Sequence, residues 1–169
     1  MTPLLLETRR LTLTQLSGAD EPALMMLYAD PVVMEFIEPG GRPKARTAEF
    51  LARMNAQWAE LKFGFFTIRE RGSARIIGGA GLLVRLPGRP IELGYVLDQP
   101  FWGKGYASEA CAEVLRWGFA AHRPERIIAD VMPANEASVQ VLVKLGFTRD
   151  GDAERGAHRY AVARVDPRL

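Results

Sequence analysis

Trp102-Gly103-Lys104-Gly105-Tyr106-Ala107-Ser108 is a small-residue loop leading into an amphipathic segment, a pattern suited to holding a phosphate. The first turn of a helix carries backbone N–H groups without intrahelical partners and the positive end of the helix dipole. Gly103 and Gly105 remove the Cβ atoms that would keep an anion off the backbone and permit positive φ where N–H groups must converge. Lys104 adds charge at the rim. From Ala107 onward, Ala110, Cys111, Val114, Leu115, Gly118 and Phe119 fall at helical spacing, with Glu109, Glu113 and Arg116 opposite, which predicts a helix. A P-loop is excluded because no Gly-x-x-x-x-Gly-Lys-Ser/Thr occurs. A dinucleotide fingerprint is met only in part. Ser108 replaces its third glycine, Asp98 to Trp102 intrude where a tight turn is needed, and Asp130 stands near the position of the ribose-binding acid.

A second pattern lies downstream, in Pro133-Ala134-Asn135-Glu136-Ala137-Ser138 and Lys144-Leu145-Gly146-Phe147. Asn135 suits a helix N-cap, and Gly146 suits a left-handed helix end before a new strand.

In this order, the two motifs resemble those of the GNAT superfamily of acyl-CoA-dependent N-acyltransferases. Gly105 and Ala107 fill the small positions of its pyrophosphate loop, and Trp102 stands where Gln or Arg is usual, a departure shared with the RimJ/RimL branch that acetylates N-termini of ribosomal proteins. The resemblance runs from Thr8-Arg9-Arg10-Leu11 to about Asp152. It implies a single GNAT domain over residues 1–169. The α/β (α+β) fold would be a mixed, mostly antiparallel sheet with helices on both faces, its central strands splayed between Leu97 and Arg126. It further implies acetyl-CoA as co-substrate and direct attack by a primary amine, from a protein N-terminus or a small molecule. The cofactor would meet Val96 and Leu97 backbone, the Trp102–Ser108 loop, Asn135, Ser138 and Lys144. Trp102 and Tyr106 suit either cofactor contact or anchoring of the loop.

Such a transfer requires a neutral amine, help for the oxyanion and help for the departing thiolate. Glu92, on a strand-like run, matches the position of the family's general-base glutamate; pairing with an arginine is its structural alternative. The tyrosine that many members use as acid is Leu142 here, which leaves Ser138 as candidate, or as a residue bonded only within its own helical turn. The acceptor is expected near Glu35, Phe36 and Tyr95. Glu35 and Glu38 would suit a cationic acceptor, and Arg42, Lys44 and Arg46 an acidic one. A non-catalytic acyl-CoA-binding sensor is the alternative function.

Composition sets bounds. A chain of 169 residues suits one domain, and 48% hydrophobic with 25% charged residues is ordinary for a globular protein. A net charge of +2 with scattered arginines does not indicate a nucleic-acid binder. Cys111 alone excludes an internal disulfide, and no metal site is suggested. Without a signal peptide or membrane-spanning run, a cytoplasmic location is expected, as monomer or homodimer; an exposed apolar strand edge near the C-terminus would permit the dimer.

The expected elements are a strand over Arg10 to Leu16, a helix after Asp20 and a helix from Ala48 to Leu61. Strands over Phe63 to Arg69, Arg75 to Val84 and Ile91 to Leu97 follow, then the glycine loop and its helix. A strand over Arg126 to Met132, the Asn135 helix and strands near Phe147 and Tyr160 complete the order. Pro39 to Pro43 is expected to be the loosest connection.

Overall fold

The computed structural model describes residues 3–164. Strands β1 (Leu5–Glu7) and β2 (Leu11–Gln15) precede helices α1 (Glu21–Ala29) and α2 (Lys44–Leu61). A meander of β3 (Phe65–Glu70), β4 (Ile76–Leu83) and β5 (Glu92–Leu97) leads to α3 (Tyr106–His122). Then come β6 (Arg126–Val131), α4 (Glu136–Lys144), β7 (Thr148–Asp152) and β8 (His158–Ala163). All eight strands join one sheet in the order β1-β2-β3-β4-β5-β6-β8-β7.

Every neighbouring pair is antiparallel except β5 and β6, whose parallel register is confined to Glu92 opposite Ile128. There the Ile128 N–H donates to the Ile91 carbonyl at 2.9 Å. Beyond that point the strands part, giving the expected splay. Side chains alternate across β5 and build a core on each face. Leu93 and Leu97 pack with Ala110, Cys111, Val114 and Leu115 of α3, while Val96 packs with Leu24 and Leu27 of α1 and Leu51 and Met54 of α2. Close approach of β3 and β4 depends on glycine: a Cβ on Gly81 would lie 2.3 Å from the Gly64 carbonyl oxygen and 2.5 Å from the Phe65 Cα.

Four features depart from expectation. β1, three residues long, pairs only with β2. α2 starts at Lys44 rather than Ala48, directly after Pro43, whose fixed φ suits a helix entry. The Pro39–Pro43 connection is cross-tied instead of loose: the Arg42 N–H donates to the Tyr28 carbonyl at 2.6 Å, and Glu38 pairs with both Arg42 and Arg46. Finally, β8 inserts between β6 and β7, so the edge strand is Thr-Arg-Asp-Gly-Asp, fully exposed, with a register shift between Arg149 and Gly151. That edge is polar, whereas an apolar one would have permitted a dimer, and charges and bulges disfavour strand-to-strand pairing.

Candidate functional site

The start of α3 is held from behind. Gly103 and Gly105 adopt φ of +72° and +77°, and Gly105 is the N-cap, so no cap side chain covers the first-turn amides. Glu109, one turn in, accepts from the Thr8 hydroxyl at 2.6 Å, the Arg10 N–H at 2.9 Å and the Arg10 Nε at 2.6 Å. Arg10 also donates to the Lys104 carbonyl at 2.9 Å and lies 4.6 Å over the Tyr106 ring. Tyr106 is buried, and its hydroxyl donates to Glu70 at 2.6 Å, so it anchors the turn. Trp102 donates through Nε1 to the Leu97 carbonyl at 2.8 Å, which ties the loop to the end of β5, while the residue remains 45% exposed. Lys104 is exposed with its ammonium 5.1 Å over Phe101; Ala107 and Ser108 are half-buried in the first turn.

Two expected results follow from this clasp. In Gly105→Val the β-branched residue meets a left-handed backbone, and its Cβ would lie 3.4 Å from the Arg10 Nη2. If the turn holds the pyrophosphate of a CoA thioester, as the resemblance implies, the Kd for that ligand should rise about tenfold, the equivalent of ~1.4 kcal/mol, with the far-ultraviolet circular dichroism unchanged; calorimetric titration measures it. The second concerns acid. Burial lifts the Glu109 carboxyl, but the Thr8 hydroxyl and the Arg10 amide and guanidinium outweigh it and hold the group below the ordinary glutamate value. A depressed carboxyl contributes stability that is present above the unfolded-state pKa and is lost as pH falls through the folded one. Glu109→Gln should therefore lower Tm at pH 7 by about 4 °C and flatten the dependence of Tm on pH below ~4.3; parallel melting curves for parent and variant would reject this.

Past Glu92 and Ile128 no register joins β5 to β6, and α3, packed on β5, meets α4, packed on β6, beside the gap. The Asp98 N–H donates to the Ile77 carbonyl at 2.8 Å. By the alternation of an antiparallel ladder, the Val96 N–H then faces β4, and those of Tyr95 and Leu97 face the open side. Tyr95 reaches across to α4, where its hydroxyl lies 2.7 Å from the Ser138 Oγ. Burial, and secondarily the Cys111 thiol, push the Tyr95 phenol above its ordinary value, while the Ser138 hydrogen bond pulls it back. Asn135 caps α4 as expected, its Oδ1 accepting from the Ser138 N–H at 3.2 Å. Leu142 is buried in the core, and Lys144 is exposed at the far end of α4.

On the opposite face of β5, Glu92 is only 5% exposed and bidentate with Arg85: Nη2 lies 2.6 Å from Oε1, and Nε bonds Oε2. Asp130 is likewise held by Arg159 through two 2.8 Å bonds, which leaves it unsuited to grip a ribose. Glu35 and Phe36 lie exposed in the turn after α1, on the α1–α2 side, whereas Tyr95 faces α4. Near that turn a cavity of about 260 Å³ is lined by Arg42, Arg46, Glu49, Phe50 and Arg53. His122 is pressed against Phe63 and Trp117, and burial pushes its pKa down despite a hydrogen bond with the Lys62 backbone. It is therefore a packed neutral ring, not the favourable cation that the end of a helix would suggest. Among the described residues no group of three or more His, Cys, Asp and Glu is arranged to hold a metal, and no helix is long and apolar enough to cross a membrane.

Sequence reasoning missed Arg85, Arg10 and Arg159. Arg85 left a faint signal, an opposite charge near the turn of a predicted hairpin; the other two left none.

A sheet splayed at its parallel step, beside an uncapped glycine-led helix, is the architecture of an acyltransferase. Residues 10–148 match the acetyltransferase (GNAT) domain family, and the chain belongs to that family. Its relatives include an uncharacterised N-acetyltransferase, p20, of Bacillus licheniformis, 30% identical over 86% of this chain and 83% of that protein. They also include the [ribosomal protein uS5]-alanine N-acetyltransferase of Escherichia coli, 34% identical over 58% of this chain and 50% of that one. An acetyltransferase from Agrobacterium tumefaciens superposes with a TM-score of 0.87 over 97% of this chain and 96% of its own, at 26% identity.

Proposed function

We propose that the chain is an N-acetyltransferase that passes the acetyl group of acetyl-CoA directly to a primary amine, on a protein N-terminus or a small molecule. The observation that supports this reading is the break between β5 and β6 past Glu92 and Ile128, with Tyr95 and Ser138 meeting beside it and the uncapped amides of α3 next to β5. In it the pyrophosphate meets the N–H groups after Gly105, and the pantetheine arm runs past Asn135 and Ser138. The Leu97 amide, on the open side of β5, polarises the thioester carbonyl. Glu92, about 16 Å along the strand from the Leu97 amide, takes the proton of the incoming ammonium through a chain of waters, and Ser138 donates a hydrogen bond to the sulfur. Alternation along β5 turns Glu92 to one face of the sheet and Tyr95, which meets Ser138, to the other.

The acceptor lies on the α1–α2 side, near Glu35, Phe36 and the arginine-lined cavity. A protein N-terminus is supported by the ribosomal-protein acetyltransferase among the relatives. A second reading, acyl-CoA binding without transfer, draws on the hold of Arg85 on Glu92.

Titration with acetyl-CoA, CoA and NADH tests the cofactor, and acetyl-CoA consumption against amines and N-terminal peptides tests transfer. Micromolar acetyl-CoA binding and turnover of one acceptor support the enzyme. Binding without turnover across the panel supports the second reading. A folded sample that ignores acetyl-CoA overturns both.

A further inference from the structure

The structure places Tyr95 and Ser138 in direct contact although they lie 43 residues apart, one on a strand and one on a helix. One helical turn beyond Ser138, Leu142 offers no polar atom and is only 2% exposed. A serine hydroxyl has one proton to give and two lone pairs, and it turns freely about its C–O bond. Left alone, it would divide its time between the thioester sulfur and other acceptors. The Asn135 Oδ1, which caps the same turn, already receives the Ser138 N–H.

We propose that Tyr95 is a positioning residue that donates its hydroxyl proton to the Ser138 Oγ and thereby leaves the serine proton directed at the sulfur of the bound thioester. The idea rests on the assignment of Ser138 as hydrogen-bond donor to the leaving group. Burial favours the protonated phenol, so Tyr95 keeps a proton that it can donate. The amine nitrogen bonds to the carbonyl carbon, one of its protons having passed to the base. As the C–S bond breaks, the electron pair stays on sulfur, which leaves as a thiolate steadied by the serine hydrogen bond. No proton is lost from Ser138 or Tyr95. The thiolate takes one from solvent on release, and the amide nitrogen gives up its surplus proton to solvent.

A double-mutant cycle of Tyr95→Phe and Ser138→Ala tests this, with kcat, KM for acetyl-CoA and Kd for CoA measured for all four proteins on an acceptor found by the panel. Ser138→Ala should lower kcat about tenfold, at the low end for such help. Tyr95→Phe, which keeps the ring and its packing, should lower kcat about fivefold in the parent. In the Ser138→Ala background it should have no further effect, with KM and Kd unchanged throughout. A Tyr95→Phe loss that multiplies fully with that of Ser138→Ala would overturn the positioning role, as would a loss seen in KM or Kd alone. So would a Tyr95→Phe variant as fast as the parent. A Ser138→Ala variant with parental kcat would instead remove the donor assignment on which the proposal stands. The acetylthioester is also a poor probe of leaving-group help when the leaving group is made better. With an acetyl thioester of lower thiol pKa in place of acetyl-CoA, the Tyr95→Phe deficit should shrink, a response that lost packing alone would not give.

Discussion

Glu92→Gln is expected to lower kcat/KM about 100-fold while leaving acetyl-CoA affinity intact. The loss sits at the lower end of what general-base help contributes, and it should be largest at low pH, where more of the acceptor arrives as ammonium. The substitution keeps the side chain's volume at a position only 5% exposed, and the amide is more easily buried than a carboxylate. Its former partner, Arg85, is 64% exposed along the side chain and turns to water, so stability should change by no more than about 1 kcal/mol. Initial rates from pH 6 to 9, beside calorimetric binding of acetyl-CoA, decide the matter. A parallel pH profile with an unchanged rate would remove Glu92 from the chemistry and leave it as half of an ion pair. Arg85→Ala adds a useful contrast: it frees the carboxylate without removing it, so a base held back by its partner should become faster in that variant.

Gly81→Val should cost the fold itself. The added Cβ would stand 2.3 Å from one backbone oxygen and 2.5 Å from a Cα of β3, and neither can swing aside as a side-chain tip would. Strands β3 and β4 would have to separate at the middle of the sheet, loosening Phe65 and Leu82 on its two faces. Overpacking without a yielding neighbour costs ~3 kcal/mol or more, which for a chain of this size lowers Tm by about 10 °C. Thermal melting followed by circular dichroism measures it. A drop below 2 °C would mean that the sheet bends to admit the side chain. Gly118→Ala gives a milder comparison, because its new Cβ meets the Leu82 Cδ1, the end of a flexible chain.

Elements with chemical punctuation were readable in the sequence. Asn135 and Gly146 marked both ends of α4, and the stripe from Ala107 marked α3. β1 was unreadable because three residues carry no period, and the lead of Lys44 over Ala48 was hidden because the first turn of α2 is polar. The insertion of β8 between β6 and β7 left no trace, since local pattern carries no information on which strands pair at a distance. The same gap explains the site. Residue types at Glu92 and Ser138 could be picked out from the motifs. Their partners Arg85 and Tyr95 are set by hairpin register and by the lateral approach of α4 to β5, which only the folded chain shows.

The hold of Thr8 and Arg10 on Glu109 joins residues about 100 positions apart. Closing so long a loop is slow and entropically unfavourable compared with forming either helix or hairpin. On a ribosome, the turn that opens α3 therefore cannot be secured until α3 has emerged and met the Thr8–Arg10 segment made about 100 residues earlier. Cofactor affinity should accordingly be among the last properties a growing chain acquires.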